Sequence, residues 1–237
     1  MQIKEYIIKH TENFKTELSE KQYEQFQKYF ELLVEWNEKI NLTAITDAEG
    51  VSLKHFADCI TVFDYVNIPQ NSKIIDVGTC AGFPGLVLKI ARPDLKVTLL
   101  DSLNKRLVFL QEVCDELSLD CEIIHSRAED GARQPHLREQ FDYSFSRAVA
   151  QLNVLSEYCL PYVKVGGSFC ALKGPQAEDE IKNAYSAINT LGGKLKKVSS
   201  FALPCDGGER NIVEIEKRAL TSQKYPRNSG KIKAKPL

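Results

Sequence analysis

The sequence predicts an α/β fold in which a mostly parallel sheet ends in an antiparallel hairpin and follows a helical extension. Between Lys73 and Asn189, short β-branched segments alternate with amphipathic ones, which is typical of β-α units and a parallel sheet. The segments 194–201 and 211–216 then follow one another as strands with no helix between them. The first 70 residues show only the apolar spacing of helices.

Residues 1–70 are predicted to form this helical extension. Ser19 and Gln22 have the spacing of a capping box, in which side chains satisfy free backbone N–H groups at a helix start. The apolar residues behind them recur on one helical face: Tyr23, Phe26, Phe30, Leu33 and Val34. Thr46 and Glu49 form a second possible box, ahead of a helix through Leu53, Phe56, Ile60 and Phe63.

His55 and Asp58 lie three residues apart in this second helical stretch, so their side chains share one face. A lone histidine on a helix more often packs or caps than catalyses. We therefore expect a structural hydrogen bond between the two side chains.

Five β-α units are predicted from Lys73 onward. The strands are expected at 73–77, 96–100, 121–124, 141–146 and 168–172. The helices are expected at about 84–91, 103–117, 152–158 and 177–189, with a polar loop and a short helix near Arg127 after the third strand. Gly166 and Gly167 are interpreted as the turn into the fifth strand.

The stretch from Lys73 to Asp101 has the order strand, glycine turn, helix, strand and acid. Gly78 begins the turn, but Cys80 occupies the second glycine position of the strict G-x-G-x-x-G motif. This arrangement places a nucleoside-containing cofactor over the carboxyl edge of a parallel sheet, where Asp101 accepts hydrogen bonds from ribose hydroxyls. A tight turn without a ligand is the alternative for the glycine loop taken alone. The late hairpin favours an S-adenosylmethionine-dependent methyltransferase over a nicotinamide enzyme.

The residues after the fourth strand bear on which atom accepts a methyl group. Amine methylation usually needs an acid or amide followed by two prolines there, whereas this sequence has Ser146-Arg147-Ala148-Val149-Ala150. Methylation at cytosine C5 needs a cysteine nucleophile, and Pro204-Cys205 lies away from the expected site. Guanine N7 fits best because its lone pair is already free. A ribose 2′-oxygen methyltransferase that uses Lys173 as a base, and a non-enzymatic RNA-binding protein, stay open.

The composition predicts a cytoplasmic protein without a metal site. The seven cysteines contain no C-x-x-C pair and none at metal-ligand spacing with a histidine, which is typical of reduced cysteines. The first residues carry charges throughout and lack the apolar core of a signal peptide. No apolar run approaches the length of a membrane span.

Charge is unevenly distributed over a chain whose net charge is −1. Residues 217–237 contain seven lysines or arginines and no acid, which favours a polyanion as partner. A solvated, frayed terminus is the alternative. We predict an extension at 1–70, one catalytic domain at 71–217 and a basic tail at 218–237.

A resemblance to a known family lies in several separate segments. The strongest are I-I-D-V-G-T-C-A-G-F-P-G, L-L-D-S-L-N-K-R-L-V-F-L, H-S-R-A-E-D, S-R-A-V-A and L-K-G-P. Others are W-N-E-K-I-N-L-T-A-I-T, K-H-F-A-D-C-I and the tail K-Y-P-R-N-S-G-K-I-K-A-K-P-L. Together they closely resemble the bacterial small-subunit ribosomal RNA guanine-N7 methyltransferases, the glucose-inhibited division protein B family. The resemblance covers nearly the whole chain.

This resemblance implies a Rossmann-like class I methyltransferase sheet. It also implies transfer of a methyl group from S-adenosylmethionine to N7 of one guanine, with 16S ribosomal RNA or the small ribosomal subunit as the partner of a monomer. By the family pattern, the cofactor residues would be Gly78, the Phe83 carbonyl, Asp101 for the ribose, and Ala128 with Glu129 for the adenine. Arg147 would lie beside the methionine end and the methyl, as the catalytic residue. We place Lys105, Arg106, Lys173 and the basic tail on the RNA side.

Two residues depart from the family pattern. Cys80 replaces a usual glycine, and Cys59 replaces a usual serine after Asp58. Cys80 needs a loop conformation that a β-carbon tolerates. The departure bears on how tightly the cofactor binds more than on the function.

Overall fold

A seven-stranded sheet forms the centre of the protein in the computed structural model, which describes residues 2–237. Its strands are, in chain order, β1 (Lys73–Val77), β2 (Lys96–Asp101), β3 (Cys121–His125), β4 (Phe141–Arg147), β5 (Val163–Lys173), β6 (Gly193–Ala202) and β7 (Glu209–Lys217). Their spatial order is β3-β2-β1-β4-β5-β7-β6. The first five strands run parallel, and β7 runs antiparallel to both β5 and β6. The fold class predicted from the sequence is confirmed.

Helices cover both faces of the sheet. They are α1 (Ile3–Thr11), α2 (Glu20–Asn37), α3 (Ala48–Val51), α4 (Asp58–Ile60), α5 (Val62–Tyr65), α6 (Gly85–Ala91), α7 (Asn104–Leu117), α8 (Ala128–Gly131), α9 (Leu152–Cys159), α10 (Ala177–Thr190) and α11 (Ser229–Ala234). Successive side chains on β1 point to opposite faces of the sheet, so they enter two different hydrophobic cores. Ile74 packs with α2, α6 and α7, and Ile75 packs with α9 and α10.

The fifth strand differs from its prediction. It begins at Val163, so Gly166 and Gly167 lie within it rather than forming a turn before it. The pairing with β4 jumps from Phe141–Val163 to Tyr143–Ser168, so both glycines lie within a bulge. Gly166 has a φ of +89°, and a side chain on Gly167 would collide with the Asp142 carbonyl of β4. The two glycines let the strand bend without losing its neighbour.

The N-terminal helices confirm one expectation and correct two. The capping box of α2 forms, since the Ser19 backbone N–H donates to the Gln22 side chain at 2.7 Å. The cap of α3 is Asp47 and not Thr46, because the Asp47 carboxylate accepts from the Gly50 N–H. The single helix expected through Phe63 is interrupted by a π-helical turn at Ser52–Ala57.

These helices hold the loop that follows β1. Tyr29 of α2 is fully buried, and its hydroxyl donates to the carbonyl of Ala81 in that loop. Gln22 donates to the carbonyls of Ile90 and Ala91, at the end of α6, at 2.7 and 3.0 Å. The extension therefore fixes both ends of the loop–helix unit that begins the predicted cofactor site.

The segment after β7 folds back against the sheet domain. The buried guanidinium of Arg138 donates to the carbonyls of Ala132, Thr221, Ser222 and Tyr225 at 2.7–3.3 Å. Tyr225 is itself buried, as is Ile232 of α11. Basic composition thus coexists here with specific packing.

Over residues 2–237, no helix combines the length and the apolar character that crossing a membrane requires. The same residues contain no group of three or more His, Cys, Asp or Glu side chains placed to hold a metal ion. The seven cysteines are all unbonded.

Replacing Tyr29 with phenylalanine tests the hold of α2 on the loop. We expect Tyr29→Phe to lower the free energy of unfolding by about 1–3 kcal/mol, because the buried Ala81 carbonyl loses its donor. Urea unfolding followed by circular dichroism measures the change. Tyr143→Phe is the matched control, since its hydroxyl donates to the Asn67 carbonyl at an exposed position. An equal loss in both variants would contradict a special role for Tyr29.

Candidate active site

A cavity of about 1040 Å³ opens at the carboxyl ends of β1, β2 and β4. In open α/β sheets this edge is where ligands bind. Seven of the nine predicted site residues line it: Gly78, Phe83, Asp101, Arg106, Ala128, Glu129 and Arg147. Lys173 lines a second cavity, and Lys105 lies exposed on the first turn of α7.

The loop after β1 brings backbone close to the cavity. Gly78 has a φ of +75°, and a β-carbon there would lie 2.9 Å from a methyl of Val149. Its N–H donates to the Leu100 carbonyl at 2.9 Å. Only glycine combines this φ with the close approach of the 148–150 segment.

Cys80 occupies a left-handed conformation with a φ of +55°. Such a conformation costs a residue with a β-carbon roughly 1–2 kcal/mol. Its backbone N–H donates to Asp101 at 3.0 Å, and its sulfur lies 3.8 Å from the Leu42 carbonyl. The loop therefore accepts the cysteine because its side chain turns toward the N-terminal extension.

Asp101 ends β2 with its carboxylate almost fully buried. One oxygen accepts from the Leu103 N–H at 2.9 Å. The other accepts from the Cys80 N–H and from Arg106 at 3.3 Å. A carboxylate offers about four lone-pair sites, so this fixed group keeps acceptor capacity for a ligand hydroxyl. Arg106, which we placed on the RNA side, lies in the cavity wall beside it.

Ala128 and Glu129 begin α8, directly after β3. The Glu129 side chain is buried, and a guanidinium nitrogen of Arg127 lies 4.0 Å from its carboxylate. The Ala128 carbonyl is occupied by the Tyr162 hydroxyl at 2.7 Å. The buried Glu129 carboxylate therefore provides a hydrogen-bond acceptor at this end of the cavity. Such an acceptor suits the amino group of a nucleobase.

Asp76 is buried beneath the loop, and burial raises its pKa to about 6. Its carboxylate accepts from the Gly85 N–H at 2.8 Å. Asp76 is absent from the residues that line the cavity. Its contact with the first N–H of α6 therefore supports a structural role for this carboxylate.

Arg147 lies at the end of β4 with 15% of its side chain exposed. One guanidinium nitrogen donates to the Lys54 carbonyl at 2.9 Å and to Asp58 at 3.1 Å. The guanidinium also lies over the Phe83 ring, 4.9 Å from its centre. Its carboxylate partner is Asp58, whereas Glu129 lies near Arg127 and Asp142 pairs with Lys164. The Lys54 carbonyl belongs to the π-helical turn, and such turns are frequent at functional sites.

The hydrogen bond expected between His55 and Asp58 is wrong, because Asp58 accepts from Arg147 and the His55 ring bonds to Thr43 and the Lys54 carbonyl instead. His55 Nδ1 lies 2.9 Å from the Lys54 carbonyl, which fits an Nδ1–H donor. Its Nε2 then accepts from the Thr43 hydroxyl at 2.8 Å. Burial and the neighbouring Arg147 lower the pKa of His55 to about 4, so the ring is neutral.

A second cavity of about 710 Å³ shares the segment Arg147–Gln151 with the first. Lys173 lies in its wall, where it pairs with Glu180 and donates to the Ala150 carbonyl, both at 2.6 Å. Arg210 of β7 donates to Asp58 at 3.1 Å. Asp58 therefore bridges two arginines, Arg147 at the end of β4 and Arg210 of β7.

The comparisons with known proteins agree with this geometry. The model of the GidB family, rRNA small subunit methyltransferase G, matches residues 22–213. The chain belongs to this family. The ribosomal RNA small subunit methyltransferase G of Clostridium perfringens strain SM101 is 50% identical over 238 residues, which cover 100% of both chains. The protein of the same name from Staphylococcus carnosus is 49% identical over 98% of both chains. The family inferred from the sequence motifs is thus confirmed.

Solved structures support the same sheet. TrmN from Thermus thermophilus superposes with a TM-score of 0.52 at 16% identity, over 67% of this chain and 48% of that one. A predicted O-methyltransferase from Agrobacterium tumefaciens gives 0.54 at 16% identity, over 68% and 81%. At these identities the likeness shows the fold alone. The family model ends at residue 213, and the relative from Clostridium perfringens extends the alignment over the rest of the chain.

The neutral state of His55 predicts a pH dependence of stability. Its folded pKa, about 4, lies below the ordinary 6.5, so its contribution is complete above pH 6.5 and is lost as the pH falls toward 4. We expect the free energy of unfolding of the wild type to approach that of His55→Gln by about 3 kcal/mol over this range.

Urea unfolding at several pH values measures this difference. The raised pKa of Asp76 gives the opposite slope between pH 3.8 and 6, but it is present in both proteins and cancels. A gap between the two proteins that stays constant from pH 7 to pH 4 would contradict a neutral, buried His55.

Proposed function

We propose that the protein is an S-adenosylmethionine-dependent methyltransferase that modifies N7 of a guanine in 16S ribosomal RNA. One observation carries the proposal. In a chain of the rRNA small subunit methyltransferase G family, Gly78, Asp101 and Glu129 surround one cavity, and Arg147 lies where it meets a second one. The enzyme is proposed to act in the cytoplasm as a monomer, with 16S ribosomal RNA or the small subunit as its partner.

The residues that line the cavity fit S-adenosylmethionine as the cofactor. S-adenosylmethionine supplies a methyl group activated by its sulfonium. Asp101 would accept from the ribose hydroxyls, and Glu129 with Ala128 would hold the adenine. The backbone at Gly78, over which Val149 packs, and the Phe83 carbonyl would border the methionine portion. The cavity is close to the upper end of the range common for small-molecule sites.

Guanine N7 as the acceptor requires no general base. Its lone pair is free, so no side chain has to remove a proton before transfer. The work left to the protein is orientation, which can lower a barrier by several kcal/mol. Arg147 suits that work because Lys54, Asp58 and Phe83 fix its guanidinium. A guanidinium in this position would hold guanine O6, the acceptor beside N7.

The alternative of ribose 2′-oxygen methylation needs Lys173 as a base. Its Nζ already contacts Glu180 and the Ala150 carbonyl, so the atom that would act as the base is engaged with two protein acceptors. Glu214, an acid on the neighbouring strand β7, contacts Ser168 and Lys196. These contacts favour guanine N7 over the ribose oxygen as the methyl acceptor. They hold Lys173 in the wall of the second cavity.

RNA is proposed to approach over exposed cations at this edge of the sheet. Lys105 and the lysines of α11 carry no ion pair with the described residues 2–237. The target base must leave its stack to reach the second cavity, which enzymes acting on bases achieve by flipping. We keep residues 71–217 as the proposed catalytic domain, between the extension at 1–70 and the tail at 218–237.

Arg147 variants test the proposed orientation. We expect Arg147→Ala and Arg147→Lys to slow methyl transfer roughly 100-fold, because neither side chain reproduces the fixed planar fork. Transfer of labelled methyl from S-adenosylmethionine to 16S ribosomal RNA measures the rate. Arg92→Ala is the matched control, since Arg92 pairs with Asp94 far from the cavity. Wild-type turnover in both Arg147 variants would remove Arg147 from the site.

The position of the methyl group separates the candidate reactions. We expect chemical cleavage specific for 7-methylguanine to cut the labelled RNA at one nucleotide, because N7 methylation weakens the bond between that base and its ribose. A ribose methyl gives no such cut and would establish the alternative. No transfer at all, to naked RNA or to assembled subunits, would leave a non-enzymatic RNA-binding protein.

Salt dependence tests the RNA surface. We expect Lys105→Gln to reduce by about one the slope of log affinity against log salt, as the loss of one phosphate contact requires. Filter binding of 16S ribosomal RNA over a range of salt measures it. Lys182→Gln is the control, because Lys182 pairs with Glu178 on the outer face of α10. Identical slopes for Lys105→Gln and wild type would exclude Lys105 from the interface.

A further inference from the structure

The C-terminal segment 225–237 reaches the cavity that we assign to S-adenosylmethionine. Ser229, Lys233 and Pro236 line it together with Ala128 and Glu129. The GidB family model ends at residue 213, whereas the relative from Clostridium perfringens aligns over the whole chain, this segment included. Charge alone had suggested only a polyanion partner for these residues.

The segment is held by an ion pair that points inward. Arg227 donates to both carboxylate oxygens of Glu157, at 2.7–3.2 Å, and 1% of the Glu157 side chain is exposed. A buried carboxylate is costly without a cation, so Glu157 retains the segment. The Arg227 guanidinium also donates to the Lys235 carbonyl at 2.9 Å, which closes the segment on itself.

Apolar anchors lie on either side of this ion pair. Tyr225 and Ile232 are buried in the core that contains α9, and Leu237 packs against the same core. The Asn228 side chain caps α11 by accepting from the Lys231 N–H. Residues 225–237 are therefore a packed wall, and their position at the cavity follows from the fold.

One contact joins the wall to the adenine end of the cavity. Arg127 donates to the Ser229 hydroxyl at 3.3 Å, and the same guanidinium lies 4.0 Å from Glu129. Displacing the segment would expose this end of the cavity to water. Burial of most of a ligand's surface is what gives such sites their affinity.

We propose that residues 225–237 form part of the cofactor site, where they enclose the adenosine half of S-adenosylmethionine or of its product S-adenosylhomocysteine. The proposal rests on the cofactor residues assigned above. It makes the affinity for the cofactor depend on the pair of Arg227 with Glu157, although neither residue has a predicted role in the chemistry.

Calorimetric titration with S-adenosylhomocysteine tests this dependence. We expect Arg227→Ala and Glu157→Gln to raise the Kd at least tenfold, and Arg92→Ala, which breaks a remote ion pair, to leave it unchanged. Wild-type affinity in both variants would contradict a role of residues 225–237 in cofactor binding, while leaving the proposed function intact. If the full-length wild type does not bind S-adenosylhomocysteine, the cofactor assignment fails as well.

Limited trypsin digestion of the wild type provides a second readout that does not depend on the folding of a variant. Lys231 and Lys233 are exposed cleavage sites in the wall, and Lys194 and Lys197 are exposed sites on β6. We expect saturating S-adenosylhomocysteine to slow cleavage after the first pair several-fold more than after the second. Equal protection, or none, would overturn the proposal.

Discussion

The buried guanidinium of Arg147 imposes a constraint that much of the chain serves. A charge held out of water needs partners, and removing them costs more than the ion pair itself contributes. The partners come from the N-terminal extension, through the Lys54 carbonyl and Asp58. Asp58 also holds Arg210 of β7, so segments far apart in sequence meet at one carboxylate. The extension is thus a structural part of the site.

The glycine loop after β1 is also held in place by contacts with other segments. Tyr29 fixes the Ala81 carbonyl from below, and Asp101 fixes the Cys80 N–H from the next strand. Val149, two residues after Arg147, closes over Gly78 and leaves no room for a side chain there. Loop, acid and arginine therefore hold each other in place, and a change at any one reaches the others through direct contacts.

Sequence reasoning succeeded where the signal is local. The β-branched content of Lys73–Val77 and its glycine turn predicted β1 to the residue, and spacing alone brought Asp101 to the cavity. It failed where a distant partner decides. His55 and Asp58 share a helical face, yet Asp58 pairs with Arg147, some ninety positions away, and His55 bonds to Thr43 and the Lys54 carbonyl. The bulge at Gly166 and the π-helical turn depend on neighbouring strands and helices in the same way.

The order of strands also sets when the protein is completed during synthesis. β6 is an edge strand whose sole neighbour is β7, and β7 inserts between it and β5. A nascent chain that has released β6 has no sheet position for it until β7 follows. Arg210, carried on β7, then joins Asp58, and the C-terminal segment closes last. Ribosome-bound chains that end before β7 therefore lack the contact between Arg210 and Asp58 and the C-terminal wall of the cavity.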